Sequence, residues 1–99
     1  MPRKRQLQED SLRLWLETLP EWKRRVLETL ASSEKPLTTG ELLEAIDYQA
    51  NINTLYNWLG RLEKKGLVKS IKVFMTNKKA WRLEQPYKHS ILEVLTGEE

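Results

Sequence analysis

Between Asn51 and Leu83 the sequence NINTLYNWLGRLEKKGLVKSIKVFMTNKKAWRL admits few arrangements. Ile52, Leu55, Leu59 and Leu62 fall at i, i+3, i+7 and i+10, one face of a 3.6-residue period, so the spacing predicts an amphipathic helix over 51–65. Asn51 suits its start, because the side-chain oxygen can accept a bond from a free N–H of the first turn. Lys64 and Lys65 set positive charge against the negative end of the helix dipole, and Gly66 can take the left-handed conformation that stops the helix. Val68, Ile71 and Val73 with Phe74 then form a β-prone run, and Ala80 to Leu83 a second. Met75-Thr76-Asn77-Lys78-Lys79 joins them, with Asn77 suited to a turn. The stretch therefore predicts a helix, a glycine stop and a two-stranded hairpin with a basic tip.

Opposite the leucine stripe the helix carries Asn53, Thr54, Asn57 and Arg61. These side chains can exchange hydrogen bonds with base edges and phosphates, though the same residues also make an ordinary solvated face. Charge is unevenly spread. Residues 51–85 hold eight Lys/Arg against two Glu, six net positive charges, whereas 36–50 hold three acidic residues and no basic one. A basic stripe on one segment is the electrostatic footprint of a nucleic-acid binder; scattered solvated lysines are the plainer explanation.

A helix followed by a small hairpin resembles the winged helix-turn-helix, and the phrases LEKKGLV and AWRLE are similar to that family, to MarR-type regulators in particular. The resemblance covers Trp22 to Glu84, about two-thirds of the chain. It implies that 51–65 is a recognition helix for the major groove of double-stranded DNA, that 68–83 is a wing on the backbone or in the minor groove, and that a short strand near Pro36–Thr38 pairs with the wing. On that basis Asn53, Thr54 and Asn57 face base edges, with Asn51 at the helix start, and Tyr56 and Arg61 meet the flank or phosphates. Thr76, Asn77, Lys78 and Lys79 form the wing tip, and Lys69, Lys72 and Arg82 add charge along the hairpin. One departure stands out: MarR-type wings usually carry an Asp-x-Arg pair, and this wing has no Asp. The subfamily is accordingly left unassigned.

The segments on either side are helical by their spacing. Residues 1–9, with Arg3, Lys4 and Arg5, read as a flexible basic tail or as an arm for a neighbouring groove. Asp10 suits an N-cap, and Leu12, Trp15, Leu16 and Leu19 at i, i+3, i+4 and i+7 predict a helix over 11–19. Pro20 breaks it and opens a second helix over 20–32, with Trp22, Val26, Leu27 and Leu30 inward. After a loop, Thr38-Thr39-Gly40-Glu41 fits a capping box for a short helix over 39–46, and Asp47 to Ala50 turn into the helix at Asn51. Beyond the hairpin, Tyr87, Ile91, Val94 and Leu95 recur at i, i+4, i+7 and i+8 with Leu92 beside them, predicting a helix over 87–96 stopped by Gly97. The expected fold is mainly α with a small β-hairpin. It is a single winged-helix domain over 10–96, with a minimal fold at 20–84 and flanking helices at 10–19 and 86–96. The two flanking stripes need cover. A second copy of the chain supplies it if Leu12, Trp15, Leu16, Leu19, Tyr87, Ile91, Leu92 and Leu95 form a homodimer interface; the domain's own core is the other candidate.

Nothing predicts catalysis, a cofactor or a metal. There is no Cys, one His (His89), no H-x-x-x-H and no glycine-rich phosphate loop among four scattered glycines. Gly60 is the odd one, since mid-helix glycine costs about 1 kcal/mol against Ala, and close approach of another element is its expected reason. Tyr56 can touch DNA or pack on the preceding helix; Trp58 and Trp81 are expected inward; Phe74 and Met75, near the wing tip, are candidates for insertion along a groove or for partial burial against the wing's base. No run approaches the roughly 18 apolar residues of a membrane span, and MPRKRQLQED leads into no apolar core, so a cytoplasmic, nucleoid-associated protein is expected. The leading expectation is a sequence-specific duplex-DNA regulator acting as a homodimer. The alternative is a winged-helix interaction module within a larger nucleoprotein or replication assembly. Binding of RNA or single strands by the wing aromatics is a third. A small-molecule effector would fit the crevice of a dimer, but no residue selects one.

Overall fold

The computed structural model describes residues 11–96; the basic tail, Asp10 and the Gly97 stop lie outside the described residues. Helix α1 covers 11–18 and ends ahead of Pro20. Pro20 sits at the N-cap of α2, Glu21–Ser32, where its missing N–H is no loss and its carbonyl accepts from the Lys23 and Arg24 N–H groups. Strand β1, Leu37–Thr38, leads directly into α3, Thr39–Ala45. The capping box forms as the sequence predicts: Glu41 N–H donates to Thr38 Oγ1 at 3.1 Å, and Thr38 N–H donates to Glu41 Oε1 at 2.9 Å. The bond from the Thr38 N–H, aided by the Thr38 hydroxyl and nearby Lys35, holds the Glu41 carboxyl below its ordinary pKa against the opposing effect of burial.

Helix α4, Ile52–Lys64, starts with Thr54 N–H donating to Asn51 Oδ1 at 2.8 Å. It stops at Gly66, whose φ of 83° lets Leu67 N–H return to Leu62 O at 3.0 Å. Strands β2, Val68–Lys72, and β3, Lys79–Leu83, form the hairpin, and α5, Gln85–Thr96, follows. The sheet is antiparallel in the order β1-β3-β2, with Leu37 opposite Trp81 on one side of β3 and Ser70 opposite Trp81 on the other. Among the described residues the fold is thus helices with a small three-stranded sheet, a winged helix-turn-helix.

The core gathers Val26, Leu27 and Leu30 of α2, Leu42 and Ile46, the Leu55–Trp58–Leu59–Leu62 side of α4, and Trp81 and Leu83 of the wing. Trp81 Nε1–H donates to Thr39 Oγ1 at 2.9 Å, joining wing to α3 across forty-two residues. Trp58 meets Trp22 edge to face at 5.5 Å, and Lys23 Nζ lies 5.4 Å from the Trp58 ring centre.

Three placements differ from expectation. Leu16 and Ile91, candidates for a partner's surface, are 1% and 0% exposed within the chain's own core. Helix α5 lies along α2, so the apolar side of α5 at Ile91 is already covered. Ile52, predicted on the buried stripe, is 50% exposed, because the first turn of α4 overhangs the core. Among the described residues, nothing beyond the backbone of its own helix and its chain neighbours lies within 4 Å of where a Cβ on Gly60 would stand, so the expected close approach is not seen there.

Candidate nucleic-acid interface

The core-facing side of α4 determines what its other side offers. With Leu55, Trp58, Leu59 and Leu62 buried, Asn53, Thr54, Tyr56, Asn57 and Arg61 are all exposed, as is the capping Asn51. The expected polar face is therefore bare. Tyr48 and Ile52 add exposed apolar surface at the start of the helix; Tyr48 and Asp47 take left-handed φ values of 57° and 55° in the turn between α3 and α4.

Two contacts tie the wing to this helix. Glu63 Oε2 accepts from Ser70 Oγ at 2.5 Å and from Ser70 N–H at 3.2 Å. Tyr56 packs its ring against Trp81 at 5.8 Å and 79°, and Lys79 Nζ lies 5.5 Å from the Tyr56 ring and 5.8 Å from that of Trp81. Tyr56 thus packs on the wing, where the sequence suggested the preceding helix, and remains exposed.

Strand alternation sorts the wing's cations. Trp81 and Ser70 face the helices, so Lys79 and its cross-strand neighbour Lys72 share the α4 side. Lys69 and Arg82 are opposite one another on the other side, and Arg82 lines a crevice of about 120 Å³ with Ser33, Lys35, Gln85 and Lys88. The structure brings Lys72 and Lys79 together with the α4 residues and does not bring Lys69 or Arg82 to them. Thr76, Asn77 and Lys78 are exposed in the loop between the strands.

Of the flanking residues, Leu12, Trp15, Leu19 and Leu92 are half-buried against the core and Tyr87 is exposed; the Leu95 side chain lies outside the described residues. Among the described residues no three His, Cys, Asp or Glu side chains gather as a metal site requires. No helix there is long and apolar enough to cross a membrane.

Sequence reasoning missed the Glu63–Ser70 anchor and the Trp81–Thr39 bond. The signal for Glu63 was its isolation: it is the one acidic residue on a helix otherwise ending in Arg61, Lys64 and Lys65. The Ser70 hydroxyl bond, then the Ser70 N–H and nearby Lys79, hold the Glu63 carboxyl below its ordinary pKa, against the opposing effect of burial. A depressed folded-state pKa means stability that is present above the unfolded carboxylate pKa, about 4.3, and lost as pH falls through the folded value. Urea titrations repeated at descending pH should show the free energy of unfolding dropping below that point. Glu63→Gln should flatten part of the drop; an unchanged pH profile would exclude the anchor as its source.

The fold and the paired helix-and-wing surface define a winged helix. No protein-family model matches the sequence, and no curated protein matches it. Solved structures share its fold, MarR family members among them. The S. aureus MepR–DNA complex is similar at a TM-score of 0.69 and 20% identity, over 98% of this chain and 77% of that one. ZitR of Lactococcus lactis, a zinc-responsive MarR family member, is similar at 0.63 and 18%, over 80% of this chain and 53% of that one. A MarR family protein from Bacillus stearothermophilus is similar at 0.61 and 19%, over 96% and 66%. The chain spans between about half and three-quarters of these neighbours' lengths. Its fold is that of the MarR-like winged helix.

Proposed function

We propose that the chain is a transcriptional regulator that binds double-stranded DNA sequence-specifically as a homodimer and works in the cytoplasm at the nucleoid. Helix α4 enters the major groove, where Asn53, Thr54 and Asn57 read base edges and Arg61 meets phosphate. The wing lies beside it on the backbone or in the minor groove. The observation that carries this reading is the shared exposure of two surfaces: the Asn53–Asn57–Arg61 face of α4 and the Lys72–Lys79 side of a wing bonded to the same helix. The MepR neighbour, whose solved structure holds DNA, supports it.

The homodimer is proposed on the apolar surface that α1 and α5 keep after packing: half-buried Leu12, Trp15, Leu19 and Leu92, with exposed Leu14 and Tyr87. Leu16 and Ile91 act from beneath, as core. Regulators of this symmetry bind paired half-sites about one helical turn apart.

Selection from a random duplex pool, with the mass of the recovered complex measured alongside, tests both parts. A palindromic motif bound by two chains is expected; a pool that stays random through successive rounds would exclude sequence-specific binding. On the recovered site, Asn57→Ala should cost roughly 1–3 kcal/mol and relax preference at one position. Equal weakening on every sequence would remove Asn57 from the readers.

A further inference from the structure

We propose that Phe74 and Met75 form an apolar wedge that enters the DNA minor groove and parts a base step, so that the wing bends the duplex. The inference rests on the duplex-DNA reading above and deepens it. Phe74 and Met75 are 86% and 88% exposed, the highest values among the exposed large hydrophobic side chains of the described residues. The loop that presents them is tightly closed. Val73 N–H donates to Lys78 O at 2.9 Å, and the Thr76 N–H and hydroxyl both donate to Val73 O, at 3.1 and 3.0 Å. Lys78 N–H in turn donates to Thr76 Oγ1 at 3.1 Å.

The Thr76-to-Val73 bond makes Phe74 and Met75 the two central residues of a four-residue turn. Met75 has a φ of 62°, a place that glycine or asparagine fills with least steric conflict. Folding alone therefore favours a small or polar residue here, yet the chain holds two large apolar ones in water. A binding partner resolves the contradiction.

Charge identifies that partner. The hairpin from Val68 to Leu83 contains no carboxylate, and Lys72, Lys78 and Lys79 flank the tip. An apolar point within purely positive surroundings complements a groove whose floor is stacked bases and whose rims are phosphates. Phe and Met are among the side chains that wedge between base steps from the minor groove, unstacking them and bending the helix toward the major groove. Placing the wedge on the wing sets the bend beside the α4 contact.

The test uses a duplex recovered by selection, labelled at both ends for energy transfer and carrying a fluorescent adenine analogue at successive steps in turn. Its emission rises on unstacking. The wild-type chain should brighten the analogue several-fold at one step outside the α4 contact and shorten the end-to-end distance. The Phe74→Ser/Met75→Gly variant suits the turn better and should melt no lower than the wild type. It should still bind, with the salt dependence unchanged, while emission and distance return to those of unbound DNA. Wild-type complexes with the emission and length of unbound DNA would overturn the wedge and leave the DNA reading intact. Absence of duplex binding at low salt would overturn both. Loss of binding to phosphatidylserine–phosphatidylcholine vesicles in the variant, with DNA distortion unaltered, would overturn the wedge in favour of a lipid surface.

Discussion

Replacing Trp81 with Ala is expected to destabilise the chain by roughly 3–5 kcal/mol, the range for deleting a large buried aromatic. That is a large share of the 5–15 kcal/mol by which domains are ordinarily stable. The reason is position as much as size. Trp81 is 1% exposed in the central strand of the sheet, paired with Leu37 of β1 and Ser70 of β2. Its indole N–H is bonded to Thr39 and its ring supports Tyr56 and Lys79. Removal opens a cavity and loosens wing, α3 and α4 together. Urea denaturation followed by circular dichroism measures the loss. Thr39→Val isolates the hydrogen bond: it keeps the shape but leaves a buried N–H without a partner, at about 1–3 kcal/mol. A Trp81→Ala loss no larger than that of Thr39→Val would show that packing at this site contributes little.

Wing charge should dominate the salt dependence of DNA binding. If five or six phosphates are neutralised per complex, affinity falls on the order of a thousandfold between 50 and 200 mM salt. Replacing Lys72, Lys78 and Lys79 with Gln should weaken binding to every duplex alike and reduce the logarithmic salt slope by about 0.9 for each phosphate left without its lysine. The Lys69→Gln/Arg82→Gln double variant removes nearly as much charge from the other side of the same sheet and should leave the slope almost unchanged. Fluorescence anisotropy across a salt series separates the two. Equal slopes for both variants would mean that net charge, and not the α4 side of the wing, governs binding.

The features legible in sequence were the local ones. Asn51 and the Thr38–Glu41 box cap helices through bonds three residues long, and Gly66 stops α4 through its own backbone. Chemistry at that range is written in adjacent residues. The wing's alternation was legible too: Trp81 inward implies Arg82 outward, and applying the rule would have separated Arg82 and Lys69 from Lys72 and Lys79 at once. Periodicity finds a stripe but not what covers it, so Leu16 and Ile91 looked the same whether they met a partner or the chain's own core. Ile52 kept the period yet overran the core's edge, which depends on where α2 and the wing end. Gly60 pointed to a neighbour that the described residues do not supply. The Trp81–Thr39 and Glu63–Ser70 bonds depend on tertiary docking; the first left no pattern to read, and the second only the isolation of Glu63, which names no partner. The exposed face of α4 lay where the helix pattern put it, but the wing-tip turn came earlier than Asn77 suggested: β2 ends at Lys72, Phe74 and Met75 are the turn's central residues, and Lys79 already belongs to β3. The joint between helix and wing did not show.

That joint ties helix and hairpin together like the two arms of a caliper. Glu63 clasps Ser70 partway along the arm, and Tyr56, Lys79 and Trp81 close the hinge side, so the contacts that hold the span between the two jaws lie within the chain itself. If the two jaws grip DNA as proposed, a target with one base pair inserted between the two points would be both too long and rotated, and should bind more weakly than the selected site.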